Sequence, residues 1–451
     1  MKTKFDSYQQ AAIEHINTHS IIIASAGSGK TTTLLGKIEF ILSQGTCLEE
    51  EILCLSFTNE TVNQLKAKLE RLGILKIHVF TFHKLAYSLL QSQNKKIIDQ
   101  DYLEFILEEV LNSFMEITTI KNIFEDQKIK EILNLSRFFI NNPTIFQEVI
   151  KRKWRKKEKK LILCSYILAE LYLRELKAHQ AMDYETMINE AKVMLPKNLN
   201  YKHIIIDEYQ DISINRFQLI QKIITQTNAI LTVVGDDYQS IYRFSGSKMN
   251  LFTNFQEQFP NSKIFFLQKT YRNSQELIDK SIHFIEKNKD QIKKSIISDK
   301  HLKDPIVYIP YFNKQKIITE LISIYNTHKK PILILGRNNL DFQTFFPNQK
   351  ITKDGYFNLD SIPIELRFLT IHKAKGLEEE IVCIINLTNQ TYGFPNKVKE
   401  NRIIKYLNQE DFLFDEERRL FYVALTRTKS YCYLFFPILN PSSFILELIK
   451  K

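Results

Sequence analysis

The sequence predicts an α/β protein with two parallel sheets flanked by helices and a helical insertion in the first of the two domains. Bare apolar runs such as Ile204-Ile205-Ile206 are typical of strands buried on both faces of a parallel sheet. These runs alternate with helical patterns towards both ends of the chain. Between about 88 and 185 the alternation stops, and apolar residues recur at helical spacing.

The strands of the first domain are expected at 20–23, 51–57, 78–80, 201–206 and 229–234. Those of the second are expected at 264–267, 305–309, 332–335, 367–371, 381–386 and 431–436. The predicted division is therefore 1–88 with 186–262 for the first domain, 89–185 for the insertion and 263–451 for the second domain.

Composition narrows the class of protein. The chain has 451 residues, of which 44% are hydrophobic and 25% charged, as in a globular protein of two or three domains. The net charge of +11 moderately favours a polyanionic partner. Five scattered cysteines form no CxxC pair, so neither a zinc site nor a disulfide framework is expected. Without a signal-like segment or a run of about 18 apolar residues, we expect a cytoplasmic protein.

A glycine-rich loop follows the first predicted strand and opens a helix. It reads Ala24-Ser25-Ala26-Gly27-Ser28-Gly29-Lys30-Thr31, with Ala24 where the strict phosphate-loop pattern has its first glycine. Its backbone N–H groups would wrap the β-phosphate of a nucleotide, and Lys30 would bridge the β- and γ-phosphates. The Thr31 hydroxyl would hold Mg²⁺. ATP and Mg²⁺ are therefore the expected cofactors.

Two carboxylates stand at the end of a later apolar strand, where open α/β sheets bind ligands. Asp207 suits the Mg²⁺ shell, and Glu208 suits a base that orients the attacking water. After the next strand, Gln239 could sense whether a γ-phosphate is bound. Tyr242 and Phe244 could stack on bases, with ordinary core packing as the alternative for each.

The motifs, in the order in which they occur along the chain, resemble those of superfamily 1 DNA helicases of the UvrD/Rep type. The resemblance is strongest to the bacterial helicase IV branch. The resemblance covers both α/β domains, roughly two-thirds of the chain. The matching motifs are Tyr8-Gln9-Gln10, Ala24–Thr31, Phe57-Thr58-Asn59, Thr81-Phe82-His83, Asp207-Glu208-Tyr209-Gln210-Asp211, Gly235–Phe244, Thr270-Tyr271-Arg272, Thr370–Glu378, Gly393-Phe394-Pro395 and Glu416–Arg427.

The resemblance implies two RecA-like lobes and further site residues. Gln9 would read the adenine edge and Tyr271 would stack on the base, whereas Thr32 stands where the family often has an adenine-packing arginine. Arg272 and Arg427 would reach the γ-phosphate from the second lobe, and Glu378 would lie near the γ-phosphate and ribose. The implied DNA contacts are Phe57, Asn59, Thr81, His83, Tyr242, Arg243 and Phe244.

The implied activity is ATP-dependent 3′-to-5′ movement on single-stranded DNA with separation of tailed duplexes, in DNA repair, recombination or phage defence. The chain departs from the pattern of this family in its domain architecture. Arg272 and Thr370 lie 98 positions apart, which leaves little room for the large regulatory domain that the family inserts there. At most, residues 339–366 would form a small excursion, that is, an additional segment between two strands of the second domain.

Two alternatives stay open at this point. The chain could be a DNA-activated ATPase subunit that senses DNA or gates a partner nuclease, with little unwinding of its own. A phosphate-loop kinase or GTPase would leave the second lobe's arginines unexplained. The basic run 151–160, which contains Trp154, could grip DNA phosphates or could simply be a solvated helix face.

Overall fold

The computed structural model describes residues 4–90, 95–98, 102, 105–106, 108–113, 126–142, 145–243, 246–359, 362–398, 402–408 and 414–450. Phe244, one of the expected DNA contacts, lies outside these residues. In the described part of the chain, no helix is both long and apolar enough to cross a membrane. All five cysteines are buried free thiols.

The first sheet has six parallel strands in the order β3-β2-β6-β7-β1-β8. Successive residues of its central strands enter opposite cores, so that Ile21 and Ile23 pack on one face and Ile22 on the other. The strands are β1 (Ser20–Ile23), β2 (Ile52–Ser56), β3 (His78–Thr81), β6 (His203–Ile206), β7 (Ile230–Gly235) and β8 (Lys263–Phe266). The helices of this first lobe are Ser7–Glu14, Lys30–Ser43, Asn59–Arg71, Phe82–Leu89, Tyr184–Val193, Ile214–Thr227, Asn250–Thr253 and Phe255–Gln258.

The strand expected at 264–267 was assigned to the wrong domain. In the structure, β8 pairs in parallel with β1, from Ser20 opposite Lys263 to Ile23 opposite Phe266. It is an edge strand, half-exposed, and it closes the first sheet rather than opening the second. A hydrophobic pattern identifies a strand but does not say which sheet the strand joins. The first lobe therefore extends beyond 262.

The second sheet has the order β11-β12-β10-β13-β14-β9 and is parallel except for β11. Its strands are β9 (Ile306–Tyr311), β10 (Ile332–Gly336), β11 (Tyr356–Leu359), β12 (Ile362–Thr370), β13 (Glu379–Ile384) and β14 (Thr428–Pro437). The helices of this second lobe are Gln275–Ile285, Gln315–His328, Asn339–Phe345, Asp415–Leu425 and Ser443–Ile449. One parallel sheet and one sheet that is parallel except for its edge strand β11, both flanked by helices, confirm the predicted fold class.

The excursion between β10 and β12 is small. The described residues there form the helix Asn339–Phe345 and β11, which pairs antiparallel with β12. Phe342 and Phe357 pack in the same core as Ile334 of β10. These elements are therefore part of the second lobe's own core rather than a separate domain.

The insertion contains the helices Asp126–Asn141, Phe146–Lys151 and Lys156–Ala178 and a short parallel ladder of β4 (Lys96–Ile97) with β5 (Ala181–Met182). Its core holds Phe139, Leu168 and Tyr172. The same core takes in Ile403 and Leu407, which are buried on the helix Arg402–Asn408. This helix, which we call the bridging helix, comes from the chain between β13 and β14 of the second lobe.

Candidate nucleotide and DNA site between the lobes

The phosphate loop runs from β1 to the helix Lys30–Ser43. Gly27 and Gly29 both have left-handed backbone conformations, with φ of +73° and +79°. Residues with a side chain rarely adopt this conformation, which explains the two glycines. The Ser28 hydroxyl donates to the carbonyl of Ser25 at 3.0 Å and closes the loop. The helix N-terminus that follows presents N–H groups suited to an anion.

Lys30 and Glu208 form an ion pair at the end of the first sheet. Lys30 Nζ lies 3.0 Å from Glu208 Oε1 and also donates to Oε2 at 3.2 Å. Burial acts to raise the pKa of Glu208, but the Lys30 and Lys375 ammonium groups, with the hydrogen bonds from Gln210 and Lys30, together outweigh it and lower that pKa to about 2. Glu208 has a left-handed φ of +55°, a rare conformation for a residue with a side chain. Glu208 is therefore ionised and fixed against the phosphate loop.

Asp207 and Thr31 supply oxygen atoms of the kind that Mg²⁺ prefers. Asp207 Oδ1 accepts a hydrogen bond from the Glu208 N–H at 2.8 Å. Burial, together with the Glu208 charge, raises the pKa of Asp207 to about 6. A bound cation would favour the ionised carboxylate, so this buried acid and the hydroxyl at the helix N-terminus fit a magnesium site.

Gln239 contacts residues of both lobes. Its amide nitrogen donates to Asp236 Oδ2 at 2.5 Å, within the first lobe. Its amide oxygen accepts from Arg427 of the second lobe at 3.1 Å. Arg427 also donates to the carbonyls of Val423 and Leu377, at 3.0 and 3.2 Å. The candidate γ-phosphate sensor and one candidate arginine are therefore in direct contact.

Arg272 lies against the phosphate loop. A Cβ atom built on Gly27 would come within 2.4 Å of Arg272 Cβ, so only a glycine fits there. The Arg272 guanidinium pairs with Glu378 Oε2 at 2.7 Å and donates to the Thr426 carbonyl at 3.2 Å. Burial and the nearby Arg272 charge lower the pKa of Arg427 to about 9. The structure thus places Arg272 against the phosphate loop and Arg427 against Gln239.

The adenine end of the site is built around Gln9. The Gln9 amide nitrogen donates to the Ser28 carbonyl at 3.3 Å, and its oxygen accepts from the Asp6 N–H at 3.2 Å. The Tyr271 hydroxyl donates to Asp6 at 2.6 Å, and its ring is half-exposed. Thr32 lies beside Gly29, near the same ring. An aromatic surface and an amide thus lie next to the phosphate loop, as base recognition requires.

An ion pair between the lobes received no role from the sequence. Lys375 of the second lobe pairs with Asp211 of the first at 2.5 Å and donates to the Gln239 carbonyl at 2.8 Å. Both side chains are buried. The sequence signal for both residues is their position inside two of the helicase-like motifs, Thr370–Glu378 and Asp207–Asp211.

Four of the candidate DNA contacts lie at the ends of β2 and β3, where Ser56 is opposite Thr81. The rings of Phe57 and Phe82 are 5.2 Å apart. Burial lowers the pKa of His83 to about 4, so its ring is neutral. His83 Nε2 has no hydrogen-bond partner in the described part of the chain. Asn59 is exposed at the start of its helix, and Thr81 is buried as the N-cap of the helix that carries His83.

Tyr242 and Arg243 lie on the second lobe's side of this region. The Tyr242 hydroxyl donates to the His372 carbonyl at 3.1 Å, and Lys375 Nζ lies 4.7 Å from the centre of the ring. The Arg243 N–H donates to Glu416 at 3.3 Å. Gln239 at the nucleotide site and Tyr242, a candidate DNA contact, are therefore only three residues apart in the same segment.

The basic run 151–160 has two parts. Its lysines are exposed, whereas Arg152 and Trp154 pack against the bridging helix. The Arg152 guanidinium lies 4.0 Å from the centre of the Tyr406 ring, and the Trp154 and Tyr406 rings are 5.5 Å apart. The run's aromatic residue thus has a structural role that neither sequence interpretation included.

Comparison with known proteins agrees with this geometry. Residues 5–260 match the UvrD/REP helicase N-terminal domain, and residues 342–437 match the UvrD-like helicase C-terminal domain. DNA helicase IV of Escherichia coli is 30% identical over 96% of this chain and 68% of its own length. A probable DNA helicase of Mycoplasma pneumoniae is 24% identical over 98% of this chain and 86% of its own length.

The ATP-dependent DNA helicase Rep of Buchnera aphidicola subsp. Schizaphis graminum is 26% identical over 87% of this chain. The match spans 63% of that Rep protein, so the chain corresponds to part of the longer relative. One family model covers more than half of the chain, and a second covers most of the second sheet. The chain belongs to the UvrD/REP helicase family.

Proposed function

We propose that this chain is an ATP-driven motor that moves 3′-to-5′ on single-stranded DNA and separates tailed duplexes. One observation carries the proposal: a single site is assembled from both lobes. Lys30 and Glu208 come from the first lobe, Arg427 of the second lobe donates to Gln239 of the first, and Arg272 lies against Gly27 of the phosphate loop. Such a site is complete only when the lobes are together, so nucleotide binding and hydrolysis can drive their closing and opening.

The proposed roles in hydrolysis follow from the contacts. A γ-phosphate would attract Lys30 away from Glu208, which leaves the ionised carboxylate free to orient the attacking water. Arg272 and Arg427 would stabilise the charge that develops on the γ-oxygens. Thr31 and Asp207 would hold Mg²⁺, which neutralises phosphate charge when it is bound. Gln9 and Tyr271 would hold the base.

The proposed coupling runs through the segment 239–243. Gln239 is bonded to Arg427, and Tyr242 is bonded to the His372 carbonyl of the second lobe. A change in the lobe contact at the nucleotide therefore moves the residues proposed to grip DNA. The 3′-to-5′ direction, and a role in repair, recombination or phage defence, are inferred from the family likeness alone.

A second candidate function is a DNA-activated ATPase subunit that senses DNA or gates a partner nuclease. The feature that favours it is the short excursion between β10 and β12, which packs into the second lobe's own core. In this alternative, strand separation depends on a protein partner such as a nuclease or repair factor.

An unwinding assay distinguishes these functions. Purified protein is given duplexes with a 3′ tail, a 5′ tail or blunt ends, and ATP hydrolysis is measured with and without single strands. We expect unwinding of the 3′-tailed duplex only. Hydrolysis that single strands stimulate without unwinding supports the subunit function, and unwinding from the 5′ tail contradicts the proposed direction.

Two substitutions test the hydrolytic site itself. Lys30→Ala and Glu208→Gln should each lower kcat by about 100-fold or more and leave single-strand affinity within about twofold of the original. Glu257→Gln, an exposed carboxylate of the first lobe, is the control. Full hydrolysis by Glu208→Gln would remove that residue from the proposed base role.

A further inference from the structure

A lysine outside every motif lies buried under the phosphate loop. Lys294 belongs to the connector between the helix Gln275–Ile285 and β9. Its side chain is 4% exposed, and its ammonium lies 2.5 Å from Asp236 Oδ1 and 2.6 Å from Asp237 Oδ1. The same ammonium donates to the carbonyl of Ala24, the first residue of the phosphate loop, at 3.0 Å.

The charges explain why a lysine is needed in this position. Asp236 and Asp237 are both fully buried, and two buried carboxylates without a counter-charge are strongly unfavourable. Lys294 supplies one positive charge to both. It also joins the ends of two neighbouring strands, since Ala24 follows β1 and Asp236 follows β7.

The contacts continue from Lys294 to the candidate sensor. One oxygen of Asp236 accepts from Lys294, and the other accepts from the Gln239 amide nitrogen at 2.5 Å. This bond fixes which way the Gln239 amide is turned, because an amide nitrogen can only donate. The amide oxygen then faces Arg427 at 3.1 Å. A continuous path of polar contacts therefore runs from the phosphate loop through Lys294, Asp236 and Gln239 to Arg427.

We propose that Lys294 is a positioning residue for ATP hydrolysis, which holds Gln239 in register with the phosphate loop through its ion pair with Asp236. This inference rests on the proposed function, because that function gives Gln239 its role at the γ-phosphate. Lys294 acts beneath the loop through Asp236 and Ala24. Its loss therefore affects the rate of the chemical step more than the affinity for the nucleotide.

A charge-balanced variant tests this role without leaving an extra buried charge. Lys294→Met combined with Asp237→Asn removes one charge of each sign, and Asp237→Asn alone keeps the path through Asp236. We expect the double variant to lower kcat by about 10- to 100-fold, with KM for ATP and nucleotide affinity within about twofold of the original. Asp237→Asn alone and Lys293→Met, an exposed neighbour, should keep kcat within about twofold.

Lys294→Arg provides the conservative comparison. It keeps a positive charge against both carboxylates, so its kcat should lie above that of the charge-balanced variant at a similar melting temperature. Original kcat in a folded charge-balanced variant would overturn the inference. A raised KM with unchanged kcat would also overturn it, because the lysine would then only support the nucleotide-binding loop.

A double-mutant cycle separates this inference from the function on which it rests. With Gln239→Ala already present, the Lys294→Met and Asp237→Asn pair should lower kcat by less than about a further twofold, because the positioned group is gone. Losses that multiply would show that Lys294 acts independently of Gln239, against the inference. If Gln239→Ala alone leaves kcat unchanged, the role proposed for Gln239 is wrong, a result distinct from any effect of Lys294.

Discussion

Gly27 is the residue of the phosphate loop against which the segment after β8 packs. Its left-handed φ of +73° favours glycine on conformational grounds. Its second constraint comes from the segment after β8, since a Cβ atom there would lie 2.4 Å from Arg272 Cβ and 2.8 Å from Thr270 Oγ1. A loop glycine usually serves the backbone alone, whereas this one also leaves room for Arg272.

Gly27→Ala tests this second constraint against a matched glycine. Gly45 also has a left-handed φ, of +67°, but no atom of the described residues lies within 4 Å of the place that a Cβ atom would take there. Both substitutions carry the backbone strain of about 1–2 kcal/mol. Only Gly27→Ala also displaces Arg272, so it should lower kcat by about 100-fold or more while Gly45→Ala stays near the original. Equal losses in ATPase assays would contradict a constraint from Arg272.

Asp211 offers a pH test at the lobe contact. Burial raises its pKa to about 6, although the Lys375 ammonium opposes this rise. In the unfolded chain an aspartate has a pKa of about 3.9, so between about pH 6 and pH 4 the folded state binds more protons. The stability contributed by this group therefore increases as pH falls through that window, by up to about 3 kcal/mol.

The measurement is the melting temperature of the original protein minus that of Asp211→Asn, followed from about pH 7.5 to about pH 4.5. The difference should become more positive as pH falls, because asparagine does not titrate. A constant difference over this pH range would mean that Asp211 titrates normally in the folded protein.

Among the elements, buried parallel strands were the easiest to predict. Runs such as Ile204-Ile205-Ile206 are apolar because both faces of the sheet are covered, and the observed strand ends differ from the expected ones by only a few residues. The sheet that β8 joins was predicted wrongly, because edge position depends on partners that are distant in sequence. The bridging helix was not predicted, since a seven-residue amphipathic segment does not reveal which core it enters.

The bridging helix contributes measurable stability to the insertion. Ile403 is fully buried in the insertion's core, so Ile403→Ala should cost about 2–4 kcal/mol in the unfolding of that part of the molecule. Lys405→Ala, on an exposed position of the same helix, should cost less than about 0.5 kcal/mol. Hydrogen exchange of the helix Lys156–Ala178 measures the difference, and unchanged protection in Ile403→Ala would show that the contact is dispensable.

At the scale of the whole molecule, the sequence predicts two separate groups of site residues, the phosphate loop with the acidic pair and the two arginines. The phosphate loop and the acidic pair are recognisable from spacing alone, and the arginines from the family likeness. Lys294 was not found, because a lysine in a lysine-rich connector has no local feature that distinguishes it from solvated neighbours such as Lys293. Its partners come from residues 24, 236 and 237, which only the fold brings together.

Arg427 tests whether the lobes act as one unit. Arg427→Lys keeps the charge but cannot reproduce donation to Val423, Leu377 and Gln239 together. We expect kcat to fall by about 100-fold or more with nucleotide affinity nearly unchanged, because the lost contact is needed mainly when charge develops. Arg418→Lys, whose ion pair with Glu447 lies within the second lobe, is the control. Equal kcat in both variants would argue against catalysis shared between the lobes.

The bridging helix has a mechanical consequence. The first lobe touches the second across the nucleotide cleft, the second lobe's chain carries the bridging helix, and that helix is packed into the insertion of the first lobe. The two lobes are therefore connected at two places, the nucleotide cleft and the contact of Ile403 and Tyr406 with the insertion. A movement of one lobe against the other would have to be absorbed at that second contact or in the chain that joins the bridging helix to the second lobe.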